Sequence, residues 1–242
     1  MVSDVTAATY SPDEMRAISR RLKGKPAEEA LRWAADAFGS EVAYACSFGA
    51  EDMVLIDMIA KVAPTIRIFT LDTGRLHDET YEVMERTRVH YGLPIQSYFP
   101  DREAVERLER KKGFYSFRES IENRKECCSI RKVEPLRRAL AGMRAWVTGL
   151  RRAQSVTRTD MDLLKWDEGN GLAKVTPLID WSHDQVWEYI RANNVPYNVL
   201  HDRGFPSIGC APCTRAVKPS EDIRSGRWWW ENPEDKECGL HL

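Results

Sequence analysis

Apolar positions along this chain change period several times, and each change predicts an element. Over Pro12–Leu22 and 26–38 they recur every three to four residues, the spacing of two amphipathic helices; Ser11 stands as N-cap of the first and Pro12 at its first position. At 41–48 the run EVAYACSF is continuous and short, which predicts a strand, followed by Gly49 and a helical pattern over 50–62. TIRIFTL at 65–71 predicts a second strand, a turn and then a helix over 77–91, and 94–99 predicts a third strand. Helical spacing fills 102–140 with interruptions near Gly113 and the pair Cys127-Cys128. AWVTGL at 145–150 is a further strand, 172–177 another strand or a sheet edge, and 182–192 a helix capped by Ser182. From Asn193 onward turn residues thicken.

Strands alternating with helices predict an α/β fold with a mainly parallel sheet flanked by helices, in which ligands bind beyond the carboxyl ends of the strands. We expect a single domain over 1–242, with N-terminal helices in 1–40 placed before the sheet and a mobile, irregular C-terminal segment over about 215–242. Composition narrows the class. With 242 residues, 43% hydrophobic content and a net charge of −1, the chain can bury a sizeable core and lacks the basic excess of a nucleic-acid-binding domain. Its first residues have no signal-peptide pattern and no apolar run is long enough to span a bilayer, so we expect a cytoplasmic protein with no membrane partner. In a reducing compartment, six cysteines point to metal binding or chemistry before structural disulfides.

Three predicted strand ends carry polar, glycine-bearing loops: Ser47-Phe48-Gly49-Ala50-Glu51-Asp52, Leu71-Asp72-Thr73-Gly74-Arg75 and Thr148-Gly149-Leu150-Arg151-Arg152. A glycine at one such turn is ordinary; their recurrence at successive strand ends predicts a nucleotide site, with the backbone N–H groups after Ser47 able to receive an anion. Cys127-Cys128 and the CxxC pair Cys210 and Cys213 could together hold one metal centre, zinc or iron–sulfur. Adjacent side chains diverge in both helix and strand, so Cys127 and Cys128 can share a centre only if the backbone bends or a helix starts there; Pro135 predicts a break just downstream. Cys46, inside an apolar strand, reads as a buried core thiol. Cys238 stands near the C-terminus as a thiol free to react.

Taken in order, SFGAED, LDTGRLHDET, CCSIRKVEPLRRAL, TGLRRAQS, CAPC and the terminal ECGLH resemble the assimilatory adenylyl-sulfate (APS) reductases, relatives of the 3′-phosphoadenylyl-sulfate (PAPS) reductases, over about 42–241. The resemblance implies an adenine-nucleotide α hydrolase-like fold and the thiol-dependent reductive cleavage of APS to sulfite and AMP. It implies a [4Fe-4S] cluster on Cys127, Cys128, Cys210 and Cys213, and Cys238 as the catalytic nucleophile, forming an S-sulfocysteine that thioredoxin or glutaredoxin clears. Substrate contacts are expected from Ser47, Phe48, Gly49, Leu71, Asp72, Thr73, Lys132 and Gly149, joined by resemblance by Arg224, Arg227 and His241. Phe48 stands where related ATP-cleaving enzymes have a loop glycine, and it reads either as an aromatic wall of a smaller anion pocket or as core. Asp235 and Glu237 would raise the Cys238 thiol pKa, so activation needs cations, of which Lys132 is best placed by sequence. Trp228, Trp229 and Trp230 read as anchors of the tail. PAPS as the substrate, or a zinc-bound nucleotide-sensing or nucleic-acid-binding module, are the competing readings.

Overall fold

In the computed structural model, residues 10–154, 161–232 and 240 are described. The apolar runs form strands β1 (Val42–Cys46), β2 (Arg67–Leu71), β3 (Ile95–Tyr98), β4 (Ala145–Val147), β5 (Leu164–Asp167) and β6 (Leu172–Val175). They make one sheet in the order β3-β2-β1-β4-β6-β5, parallel throughout except that β5 runs antiparallel to β6. Helices α1 (Pro12–Leu22), α2 (Ala27–Phe38), α3 (Ala50–Val62), α4 (Asp78–Tyr91), α5 (Arg102–Lys112), α6 (Ile121–Cys128), α7 (Glu134–Leu140) and α8 (His183–Ala192) flank it. Ser11 and Ser182 cap α1 and α8 with reciprocal side-chain bonds to Glu14 and Gln185, as their sequences predict.

Successive β1 residues face opposite sides of the sheet and separate two cores. Val42, Tyr44 and Cys46 join the larger one with α1, α2, α3 and α8, while Ala43 packs with Phe69, Trp146 and the α7 residues Leu136, Ala139 and Leu140. Helix α3 is buried on nearly every side from Ala50 to Ile59, which fits its largely apolar sequence, with Asp52 and Asp57 buried among the apolar side chains. None of the described helices is long and apolar enough to cross a membrane.

Two expectations change. The segment expected as a possible edge, β6, is interior: it lies between β4 and an outer strand, β5, that the periodicity reading omitted. A turn closed by Gly171, at φ 68°, joins them. The predicted break after the cysteine pair is instead a π-helical segment, Ser129–Val133, linking α6 directly to α7 with Pro135 in the first turn of α7. A π turn carries an extra residue and rotates the side chains that follow it, which re-aims a helix without ending it.

The chain order places the site. Connections leave β1 toward β2 on one side and return through β4 on the other, so the strand order reverses between β1 and β4. Loops at the carboxyl ends on either side of such a reversal diverge and leave a crevice. The loops after β1, β2 and β4 all open there.

Candidate functional site

A cleft at these strand ends is lined by Ser47, Gly49, Leu71, Thr73, Lys132, Gly149, Arg224 and Arg227, all anticipated from sequence. Phe48 does not line it. Its side chain is fully buried in the larger core while its backbone sits at φ 60°, the left-handed region that glycine adopts freely. The strain, about 1–2 kcal/mol, is offset by burial of an aromatic ring worth a similar amount or more. Asp72 is also absent from the wall. Its carboxylate accepts from the Gly74 N–H at 2.8 Å and the Tyr81 hydroxyl at 2.9 Å, shaping the loop that presents Leu71 and Thr73. Cys238 and His241 lie outside the described residues, but Leu240, between them in sequence, lines the cleft and packs against the α7-side core.

The loop after β1 is organised by Asp52 at the start of α3. One carboxylate oxygen accepts from the Tyr44 hydroxyl at 2.7 Å; the other accepts from the Ser47 N–H at 2.8 Å, the Ser47 hydroxyl at 2.6 Å and the Gly49 N–H at 3.3 Å. The backbone donors expected to receive a substrate anion are therefore partly taken by an anion of the protein's own. Burial pushes the Asp52 carboxyl up, against the opposing pull of Ser47 and Tyr44. Gly149, after β4, closes on this group so tightly that a Cβ there would lie 2.5 Å from an Asp52 oxygen. Only glycine lets the loops after β1 and β4 meet.

Behind the cleft, Cys127, Cys128, Cys210 and Cys213 line a second, smaller cavity with Phe117, Trp228 and the cations Arg75, Arg124, Arg131 and Lys132. Among the described residues no three His, Cys, Asp or Glu side chains draw close enough to hold a single metal ion. The four thiols thus surround the cavity without converging on a point. Burial pushes Cys213 up to about 12 and raises Cys127. Burial also works on Cys210, but Lys132, the Thr73 hydroxyl 3.3 Å from its sulfur, Arg227 and Arg131 outweigh it and bring that thiol down. Two buried donors on residues of this cavity wall, Arg131 Nε and Trp228 Nε1, have no hydrogen-bond partner among the described residues. Four sulfur donors, four cations and unpartnered N–H groups fit a polynuclear anionic centre, whose sulfurs would accept those hydrogen bonds.

The π segment supplies the link between the cavities. Arg131 donates to the Thr73 carbonyl at 2.7 Å and pairs with Glu109 at 2.6 Å, tying the π segment to the loop after β2. Lys132, Cys210 and Trp228 line both cavities. Trp228 is almost wholly buried between the guanidinium groups of Arg124 and Arg227, each 4.8 Å from its ring centroid. Arg227 also donates to the Ile208 carbonyl at 3.2 Å, and Gly209 passes so close beneath it that a Cβ would overlap the guanidinium. Residues 214–231 form neither helix nor strand and dock on the body: Thr214 bridges Arg227, and the Trp228 N–H donates to the Cys213 carbonyl at 3.1 Å.

Sequence reasoning missed several wall residues. His183, Trp187 and His201 approach from α8 and the following 3-10 turn, Val199–Arg203, which no motif marks. Arg151, in the glycine-bearing loop after β4, lines the cleft and is buried, pairing with Glu51 at 2.7 Å and donating to the Trp181 carbonyl at 3.2 Å. Arg152 instead pairs at the surface with Asp180.

Comparison with known proteins agrees with this geometry. Residues 41–216 match the family described as the phosphoadenosine phosphosulfate reductase domain. The chain is 56% identical over 200 residues to an adenosine 5′-phosphosulfate reductase of Allochromatium vinosum, covering 83% of this chain and 78% of that one. It is 48% identical over 241 residues to one from Burkholderia cepacia, covering 100% and 94%. Among solved structures, phosphoadenylyl-sulfate reductase from Candida auris, in a phosphate complex, superposes with a TM-score of 0.75 at 29% identity over 87% of this chain and all of that one. FMN adenylyltransferase of Candida glabrata shares the fold at a TM-score of 0.54 and 15% identity, covering 97% and 82%.

Proposed function

The chain belongs to the phosphoadenosine phosphosulfate reductase domain family, and from that premise we propose that it reduces adenylyl sulfate to sulfite and AMP with electrons from a thiol donor, in sulfate assimilation. The observation that carries this reading is the junction of two cavities: the strand-end cleft meets the four-thiol cavity across Lys132, Cys210 and Trp228. APS is favoured over PAPS because the bacterial relatives sharing about half of this sequence carry the APS name, whereas the PAPS reductase from Candida auris shares 29%.

APS holds an anhydride between phosphate and sulfate. In the proposed scheme the Cys238 thiolate attacks sulfur, the bond from sulfur to the bridging oxygen breaks, and AMP leaves with that oxygen and the electron pair. Lys132, Arg224 and Arg227 in the cleft wall offset the charge that develops on the phosphate. Leu240 in the cleft supports this use of the tail, since two residues of chain span at most about 7 Å. A thiol of a thioredoxin- or glutaredoxin-type protein then attacks the Cys238 sulfur, sulfite departs, and the resulting mixed disulfide is reduced by the donor's second thiol.

Cys127, Cys128, Cys210 and Cys213 would hold a [4Fe-4S] cluster. When bound, it supplies a fixed anionic charge beside Lys132 that tunes the site's electrostatics, with all four ligands coming from the protein. Such a centre and such a donor belong to a reducing cytoplasm.

Sulfite release from APS and PAPS, assayed side by side with a dithiol protein as donor, tests the substrate. APS should be strongly preferred; preference for PAPS, or no sulfite from either, overturns the reading. Protein purified without oxygen should be brown and contain iron and sulfide in equal amounts, and colourless protein with stoichiometric zinc would contradict the proposed cluster.

A further inference from the structure

The Glu231 side chain is buried, seven positions before Cys238. Its carboxylate receives the Arg124 Nε–H at 2.9 and 3.1 Å, and the two side chains are 4% and 1% exposed. Arg124 lies on α6, three residues before Cys127, and its guanidinium lies on one face of Trp228. The Glu231 N–H donates to the Trp228 carbonyl at 2.9 Å, and the Trp228 N–H to the Cys213 carbonyl. One ion pair thus fastens the base of the tail to the helix that carries one cysteine pair, next to a backbone bond to the other. At the far end, Leu240 sits in the cleft. Glu231 and Leu240, nine positions apart in sequence, are thus both held against the body.

A buried ion pair contributes little net stability compared with an apolar replacement, because desolvating both charges offsets their attraction; what it provides is a defined geometry. We propose that Arg124–Glu231 is a positioning latch: it fixes the point from which the segment bearing Cys238 leaves the body, and so holds the nucleophile within reach of the cleft. Neither residue lines the strand-end cleft, so neither is a catalytic residue.

The kinetic part of the test rests on the function proposed above; the proteolytic part does not. Glu231→Gln keeps the side chain's size and leaves Arg124 buried without its counter-charge. In substrate-free protein, trypsin should cut after Lys236 and release the 237–242 peptide, identified by its mass, about tenfold faster or more than in the parent protein. AMP affinity should stay close to parental, while AMP release from APS in the absence of a thiol donor slows by about tenfold or more; the melting temperature falls, as it does wherever a buried charge loses its partner. Arg124→Gln, which also removes a cation from the four-thiol cavity, should lose at least as much as Glu231→Gln, and the double variant no more than Arg124→Gln alone, because a latch can be opened only once.

Parental rates of both proteolysis and AMP release in Glu231→Gln would overturn the latch, as would losses that multiply in the double variant. So would a loss of AMP affinity in step with the rate, the mark of a merely structural role. Faster proteolysis in a protein whose parent releases no AMP from APS would uphold the latch and defeat the proposed activity.

Discussion

Replacing Gly149 by alanine adds one methyl group at the point where the loops after β1 and β4 touch. Its backbone lies outside the left-handed region, so the cost is steric: the new Cβ would lie 2.5 Å from Asp52 Oδ1, closer than real Cβ atoms come to any neighbour. Asp52 cannot simply swing aside, because its carboxylate is held by the Tyr44 hydroxyl, the Ser47 N–H, the Ser47 hydroxyl and the Gly49 N–H. Hydrogen bonds to a charged group contribute about 1.5–3 kcal/mol each, and misaligning one or two of the four gives a loss of about 2–4 kcal/mol. For a chain of this size that lowers the melting temperature by about 4–16 °C. The same shift moves Ser47 and Gly49 in the cleft wall, and a displacement of about 1 Å there slows AMP release from APS by about a hundredfold. Calorimetry and a single-turnover assay of Gly149→Ala read both numbers. Parental melting and parental AMP release together would refute the placement of Asp52 as the organiser of this loop.

Lys132→Ala should lower kcat/KM by roughly 10- to 150-fold, from loss of a charged donor of about 1.5–3 kcal/mol, with both kcat and KM affected; parental steady-state kinetics would return Lys132 to a purely structural place. Burial, and after it Asp52, holds the Cys46 thiol well above its ordinary pKa, so native protein should leave Cys46 unalkylated by iodoacetamide until it unfolds, and mass mapping that finds it labelled at the rate of an exposed thiol would contradict that environment. Burial also holds His201 below the ordinary imidazole range. A depressed imidazole contributes stability that is complete above its unfolded pKa of about 6.5 and is lost as pH falls through the folded value, so the melting temperature should drop between about pH 7.5 and about pH 5. His201→Gln should flatten part of that drop, the remainder belonging to His77, which burial lowers in the same direction; an unchanged slope would remove His201 from the linkage.

Much of the fold was legible because short continuous apolar runs alternate with helical periods, and β1, α3 and α8 lie close to where that pattern puts them. Outer strand β5 was not: LKWD is brief and half polar, and the Asn170-Gly171 turn that pairs it with β6 was the one usable signal. The π segment was out of reach, since nothing in SIRKV distinguishes an extra residue per turn from an ordinary helix. Glycine-bearing strand ends located the cleft, yet could not tell which side chain in each loop faces it. Phe48 turns inward because a left-handed backbone at the strand end points its Cβ into the core, and Asp72 is consumed by its own loop. His183, Trp187 and His201 reach the cleft only through the packing of α8 on α3, a long-range contact no local pattern records. Arg124 and Glu231 were invisible for the same reason, being 107 positions apart.

In the proposed mechanism Cys238 attacks the sulfur of APS in a step separate from sulfite release. Mixing the anaerobic protein with APS and no thiol donor, then measuring AMP by quench-flow and the mass of the C-terminal peptide, tests it directly. About one equivalent of AMP, an added SO₃ on Cys238 and no free sulfite should result, with discharge of the adduct as sulfite when reduced thioredoxin is added. Free sulfite at full yield without any thiol, or AMP release that persists in Cys238→Ser, would contradict it.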